Sequence, residues 1–439
     1  MSDLRSYLAQ IRKTRDLKTI RSRVSTRFEI AGITAKADGS QAVLFEDVRG
    51  SGFRLVSNLV GTRSRFAQAV GGKDIHKRVI SAISRAKKPK KAPGRFLQNL
   101  ARDTSQLPIV THFEKESGPF ITSSIIYAVN PDTGRQNSSF HRMMPIDKTH
   151  LSIRMVEGRH LHRCFVDAKE HGEDLRVAVT IGVHPAVSIA GAYQAEWGAD
   201  EIDIANSLLG GRLTLARLES TGLDVPSGAE IVMEGRILRD VTHKEWMVEM
   251  LQTYDHKRAQ PVFELESLHY RDRPIFHDIL SGYSEHRLLM GMPIESKLTG
   301  GLKKAYGQTR RVSMTNGGCS WLHAVVQIKK RTGADPKRII KKAFELHRSL
   351  KQVTIVDEDI DPDSADSVEY AMATRFQADG DLIILKNVRG SSLDPSSDQK
   401  KLRTAKMGID ATRPLSKRPE GFELARIPGV EKIRLDRYA

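Results

Sequence analysis

Two cysteines in 439 residues, Cys164 and Cys319, are too few and too far apart for a disulfide framework or a zinc site built on paired thiolates. Their scarcity suits a reducing compartment. Long apolar runs are missing too: none approaches the roughly 20 residues that span a bilayer. The opening residues carry no apolar stretch of the signal-peptide kind. The sequence therefore predicts a soluble, cytoplasmic protein with no membrane span. There is no internal repeat and no long low-complexity tract, which excludes solenoids and disordered arrays. Acidic residues are outnumbered, 53 against 70 basic ones, for a net charge of +17. The densest basic run, Lys87-Lys88-Pro89-Lys90-Lys91, is broken by prolines and has no interleaved aromatics on which bases would stack. It reads as a solvated linker, and no nucleic-acid partner is expected. The excess positive charge instead favours anionic substrates and a phosphate-bearing cofactor.

What is present fits a chain of two or three domains. Leu4, Leu8, Ile11, Leu17 and Ile20 fall at helix-compatible spacings, with Asp3 as a cap, so residues 3–20 read as helical. A short strand at Ala42–Phe45 and a helical stretch lead to the linker at 87–95. From about 109 to 300 the chain is dominated by short β-rich runs, as at 120–127, 175–183 and 230–234. Turn signals such as Asn130-Pro131-Asp132-Thr133-Gly134 separate them. Beyond 310 the texture alternates: a strand at 324–331, a helix at 336–349, a strand at 353–356, a helix at 365–376 and a last strand at 382–386. The fold class is α+β, divided as 1–108, 109–305 and 306–439.

Several segments carry chemistry. In Gln136-Asn137-Ser138-Ser139-Phe140-His141-Arg142, the arginine either pairs with a buried carboxylate or clamps a substrate carboxylate; alone, it favours the first. In Gly158-Arg159-His160-Leu161-His162, a His-x-His pair on a strand would share one face, a weak metal signal. In Asp200-Glu201-Ile202-Asp203, a carboxylate opens a helix-like run, most simply as a helix N-terminal charge. Together the three supply an amide oxygen, an imidazole and a carboxylate, a set suited to Mn²⁺ or Mg²⁺ with phosphate filling further positions. The pair Glu245 and Glu249 reads as a solvated helix face, one turn apart. In an apolar pocket, one of them would instead be raised in pKa and serve as a general acid.

Longer strings narrow these alternatives. They include Asn316-Gly317-Gly318-Cys319-Ser320-Trp321-Leu322-His323, Val356-Asp357-Glu358-Asp359, Ala373-Thr374-Arg375-Phe376, Arg389-Gly390-Ser391-Ser392-Leu393-Asp394-Pro395 and Thr404-Ala405-Lys406-Met407-Gly408. With Gly182-Val183-His184-Pro185 and Pro261-Val262-Phe263-Glu264, they closely resemble the UbiD decarboxylase family over essentially the whole chain. The resemblance implies a flavin-reductase-like split β-barrel holding the cofactor, between an N-terminal α/β segment and a C-terminal α/β oligomerisation domain. It implies prenylated FMN, made by a flavin prenyltransferase and bound through Mn²⁺ (or Mg²⁺). A K⁺ ion would lie near Ala190-Gly191-Ala192-Tyr193. A homodimer or homohexamer is expected.

Residue by residue, Asn137, His160 and Glu201 match the family's metal ligands. Thr122, Arg142, Arg159 and Lys406 fall among the cofactor-contacting positions. Arg142, Glu245 and Glu249 match its catalytic Arg-Glu-Glu/Asp network. The resemblance implies that the cofactor accepts the electron pair left by departing CO₂ and that Glu249 returns a proton. One departure stands out. The family usually writes the acid loop as Glu-Gly-Pro-Phe-Gly/Val-Glu/Asp, whereas this chain has Glu245-Trp246-Met247-Val248-Glu249, one residue shorter. The compact C-terminus and Tyr254-Asp255 are similar to the short archaeal branch. That branch implies reversible, non-oxidative decarboxylation of trans-anhydromevalonate 5-phosphate in isoprenoid synthesis. The alternatives are an aryl acid of the 4-hydroxybenzoate type, or a structural subunit whose altered loop has lost the chemistry.

Overall fold

The computed structural model describes residues 2–193 and 195–438. Helix α1 (Leu4–Lys13) starts where the Asp3 carboxylate accepts the N–H of Ser6 while the Ser6 hydroxyl accepts that of Asp3. It buries Leu4, Tyr7, Leu8 and Ile11. The helix stops at Thr14, and Arg15 turns the chain at φ 62°. Leu17–Ile20 then forms a strand, β1, running parallel to β2 (Ala42–Phe45). The helical reading of 3–20 is therefore corrected. Leu17 and Ile20 keep a helix period, but their backbone is satisfied by a sheet ladder. Antiparallel to β2 lies β3 (Arg54–Ser57).

The central region is one antiparallel sheet of β4 (Ile125–Val129), β5 (Gln136–Phe140), β6 (Met143–Pro145), β7 (His150–Ile153), β8 (Leu175–Ile181), β9 (Ile231–Glu245) and β10 (Arg258–Tyr270). Its order is β5-β4-β8-β9-β10-β7-β6, with Asn99–Ala101 as a side branch on β10. The two end strands, β5 and β6, are consecutive in the chain, with only His141 and Arg142 between them. Ile121, just before β4, exchanges both backbone hydrogen bonds with Met143 at 2.8 and 3.0 Å. The pairing path thus returns to its start, and residues 136–145 form one strand split at 141–142. This is the split-barrel geometry that the resemblance implies. Ile126, Val177, Val179, Ile231, Met233 and Phe263 fill its interior, each burial contributing about 1.5–3 kcal/mol. A register shift falls between Glu234 and Gly235 in β9. There a Cβ on Gly235 would lie 2.0 Å from the Glu264 carbonyl oxygen, so β9 and β10 approach this closely only around glycine.

From the barrel the chain crosses back: β11 (Ile275–Asp278) pairs parallel to β3 in the N-terminal sheet. Helix α2 (Ser284–Ala305) then leads to a five-stranded sheet. Its strands are β12 (Thr309–Met314), β13 (His323–Ile328), β14 (Gln352–Asp357), β15 (Leu382–Arg389) and β16 (Arg403–Ala411). Helices Asp335–Leu346 and Ala365–Arg375 fall where the alternation predicts them. The sheet order, β12-β13-β14-β16-β15, corrects the reading that the strand at 382 is the last. In β16, Lys406, Gly408 and Asp410 alternate with the apolar Ala405, Met407, Ile409 and Ala411. The glycine is required by packing, since a Cβ there would meet Ile340 at 2.4 Å. No helix among the described residues is long and apolar enough to cross a membrane.

Candidate active site

A cavity of about 410 Å³ opens between the barrel and the C-terminal region. It is lined from the barrel by Thr122, Asn137, Arg142, His160 and Glu201, and from the C-terminal region by Trp321, Ser392 and Leu393. Two polar clusters stand in it, both rooted in the strand 136–145.

The first cluster joins three elements. Asn137 sits on β5, His160 opens the helix His160–Glu170, and Glu201 opens the helix Glu201–Leu208 behind its cap, Asp200. The Asn137 amide nitrogen lies 3.1 and 3.2 Å from the two Glu201 oxygens and 3.3 Å from His160 Nδ1. Ser138 N–H donates to Glu201 at 2.9 Å. Glu201 is 2% exposed, and its one ion-pair neighbour among the described residues is His160, at 3.7 Å. A buried carboxylate without a fixed cation is costly. Beside it, burial pushes the Asp200 carboxyl up to about 7, with Asp203 and Glu201 adding like charge. The donor set and its unmet negative charge fit a hard divalent cation, with Asn137 turning its amide oxygen inward. Sequence reasoning put His160 on a strand beside His162. The structure corrects this to a helix start, where the two imidazoles do not share a face.

The second cluster is built on Arg142, at the split in the barrel strand. Its Nε and Nη2 donate to Glu245 at 3.2 and 2.9 Å, its Nη1 to Glu249 at 2.7 Å and its Nη2 to Asp255 at 3.4 Å. Arg258 also holds Asp255, at 3.2 Å. Burial alone would lower the Arg142 pKa, but Glu249 and Glu245 hold it well above its ordinary value. Burial raises the Glu249 carboxyl, and the Asp255 charge raises it further against the pull of Arg142. For Asp255, burial is outweighed by Arg142 and Arg258, and its pKa falls. The arrangement drives the pKa values of two neighbouring acids apart, Glu249 upward and Asp255 downward.

Glu245 is the last residue of β9, and the segment after it is not helical, which corrects the solvated-helix reading of the two acids. Residues 115–117 pin this loop through two side chains and one backbone carbonyl. Glu116 accepts the Val248 N–H at 3.1 Å, Ser117 Oγ accepts the Trp246 N–H at 3.1 Å, and the Trp246 indole donates to the Lys115 carbonyl at 2.6 Å. The loop, one residue shorter than the family's usual spacing, still delivers both carboxylates to one guanidinium.

Thr122 lines the same cavity, its hydroxyl accepting from Ile279 N–H at 2.8 Å and donating to Asp278 at 3.2 Å. Asp278 is anchored in turn by His112 at 2.9 Å. Arg159, at the N-terminus of the helix His160–Glu170, and Ala192 and Tyr193 line the cavity near the first cluster. Lys406 does not: its Nζ donates to the Arg348 carbonyl at 2.6 Å and lies over the Phe344 ring, outside the lining. Three contributors went unread in the sequence. His286 is held neutral, its pKa pushed down to about 4 by burial, with Arg287 and Arg142 adding to the effect. Asp255 was visible only as a branch mark, although an acid three residues before Arg258 is a signal for the pair. Arg154 carried no motif at all.

A split barrel bearing these two clusters is the architecture of a carboxy-lyase, and the chain belongs to the UbiD family. Three models of the 3-octaprenyl-4-hydroxybenzoate carboxy-lyases match it: the N-terminal domain at residues 8–83, the Rift-related domain at 87–284 and the C-terminal domain at 287–411. Among individual relatives, the anhydromevalonate phosphate decarboxylase of Methanothermobacter thermautotrophicus is 39% identical, covering 94% of this chain and 97% of that protein. The enzyme of the same name from Methanocaldococcus jannaschii is 41% identical, covering 92% and 95%. The UbiD-class enzyme HmfF from Pelotomaculum thermopropionicum, solved in complex with FMN, superimposes with a TM-score of 0.96 at 36% identity over the full length of both chains. An evolved dimeric form of HmfF was solved with prenylated FMN and has a TM-score of 0.92.

Proposed function

We propose that this protein decarboxylates a phosphorylated α,β-unsaturated acid, anhydromevalonate phosphate, with prenylated FMN held through a divalent metal. The observation that carries the reading is Glu249. It is a part-buried carboxyl whose pKa is raised by burial and by Asp255, on an arginine that also holds two further acids, at one end of a cavity whose other end holds the buried carboxylate of Glu201. Identities of 39–41% over nearly the full length of relatives bearing that name support the substrate.

Asn137, His160 and Glu201 would hold the metal, and Thr122 and Arg159 would contact the flavin. Ala192 and Tyr193 stand where a K⁺ ion is expected. When bound, the prenylated flavin supplies the electron sink for the bond that breaks as CO₂ leaves. The chain's own residues do the rest. Arg142 fixes Glu245, Glu249 and Asp255 around one point. The raised pKa lets Glu249 donate a proton to the carbon that lost CO₂. Trp321, Leu393 and Met247 keep that carbon out of bulk water. Both acids remain on Arg142 despite the shortened loop, which favours an active enzyme over a structural subunit.

The test is production beside a flavin prenyltransferase, anaerobically and with Mn²⁺, followed by native mass spectrometry, a visible spectrum and an acid panel. Bound prenylated flavin, one divalent metal and CO₂ release from anhydromevalonate phosphate are expected. Folded protein repeatedly empty of both, or turnover confined to aryl acids, would overturn the reading.

A further inference from the structure

Arg142 and Arg154 are neighbours: the Arg154 N–H donates to the Arg142 carbonyl at 3.0 Å, and both side chains line the cavity. Their surroundings are opposite. Arg142 spends four of its five N–H donors on Glu245, Glu249 and Asp255. Arg154 donates to the Met155 carbonyl at 2.8 Å and has no carboxylate within ion-pair distance among the described residues. Asp255 and Glu249 act on it only from beyond ion-pair distance, and burial with the Arg142 charge beside it still lowers its pKa, a poor arrangement for stability alone.

Arg154 also marks where the cavity meets a second, larger cleft of about 1300 Å³ between the barrel and the C-terminal sheet. Arg154, Arg258, Lys297, Arg348 and Arg389 line that cleft with Arg159, against two acids, Glu157 and Glu345. Such a mouth concentrates anions and steers them inward. The cofactor's phosphate is not the ion this residue awaits. The proposed metal set is rooted at Asn137, five residues before Arg142 along the strand, or about 16 Å in extended chain. Arg154 stands at the acid end instead.

Resting on the function proposed above, we infer that Arg154 receives the phosphate of the substrate and so sets the preference for a phosphorylated acid. Arg142 keeps the proton donor in place and has one N–H left for the carboxylate. A guanidinium offers phosphate two parallel hydrogen bonds, and a substrate anchored there reaches Glu249 with its other end.

The test compares the loaded wild type with R154Q and R154K on anhydromevalonate phosphate and on the same acid without phosphate. Calorimetric binding of mevalonate phosphate, the hydrated and unreactive counterpart, provides a second readout. R154Q is expected to raise KM for the phosphorylated acid, and weaken mevalonate phosphate binding, by about 100-fold. Its kcat, its flavin spectrum and its kcat/KM for the unphosphorylated acid should stay within a few-fold of wild type. R154K should recover part of the loss; should R154Q not fold, R154K alone is expected to lose about 10-fold in the same parameter, because it keeps the charge but not the fork. An unchanged KM, or equal losses on both acids, would overturn the assignment and leave the proposed function standing. Wild-type enzyme that ignores the phosphorylated acid would remove both.

Discussion

The two ends of the cavity are made from the same strand and reach opposite electrostatic outcomes. At Asn137, His160 and Glu201 a buried carboxylate has no lysine or arginine within ion-pair distance among the described residues, and its neighbour Asp200 is pushed toward its neutral form. At Arg142 one guanidinium is closed in by three carboxylates before any ligand arrives. Under the proposed function the first end is completed by a cation, whereas the second holds its charged partners already. Binding energy from outside is thus directed at one end, while the geometry of proton transfer is fixed in advance at the other.

The sharpest way to break this contrast is at Glu249. Glu249→Gln keeps a hydrogen-bond partner on Arg142 and removes the proton, so turnover should fall by at least about 1000-fold with flavin and metal retained. Near-normal turnover would mean that the acid end does not donate the proton.

A second comparison reads stability in protein stripped of metal and flavin. There Glu201→Gln removes a buried charge that no lysine or arginine pairs and should raise the melting temperature, while the same variant produced with Mn²⁺ should carry little metal by elemental analysis. Glu245→Gln strands part of Arg142 and should destabilise by about 3 kcal/mol, the usual cost of breaking a buried pair. Shifts of the same sign would erase the distinction between the two ends.

The finest test is Asp255→Asn, read in the pH profile of kcat. The Asp255 charge helps to raise Glu249, and it offsets Arg142. The donor works while protonated, so activity falls as pH rises through the Glu249 pKa. Removing the Asp255 charge lowers that pKa and moves the basic limb to lower pH. A limb that stays put or moves upward would separate Asp255 from the donor.

Much of this was legible in the sequence. Short strands with turn punctuation announce the barrel region, and the segments around Asn137, His160, Glu201 and Arg142 contain residues that the fold brings into one cavity. What the sequence hid has physical causes. Arg15 at positive φ ends a helix pattern that the apolar spacing continues. Glu245 and Glu249 keep a helix spacing, but hydrogen bonds from 115–117, more than a hundred residues away, hold their loop open. Lys406 sits in a recognisable string, but a hydrogen bond to the Arg348 carbonyl places its ammonium outside the cavity lining, which no local pattern records. Arg154 has no motif because what distinguishes it is a missing partner, and no local pattern records that.

The strand from 136 to 145 also acts as a ruler. It enters the barrel's pairing path at both ends, so Asn137 and Arg142 are held apart by a fixed count of residues pinned on either side. Loops around it can lose a residue, as the acid loop has relative to its family, and be re-aimed by their neighbours. A residue gained or lost between 137 and 142 has no such slack: it would open the barrel seam and put the two clusters out of reach of a single ligand. In a lineage that changes substrates, variation is therefore expected to collect in the loops and the cleft, with the length of this ruler left unchanged.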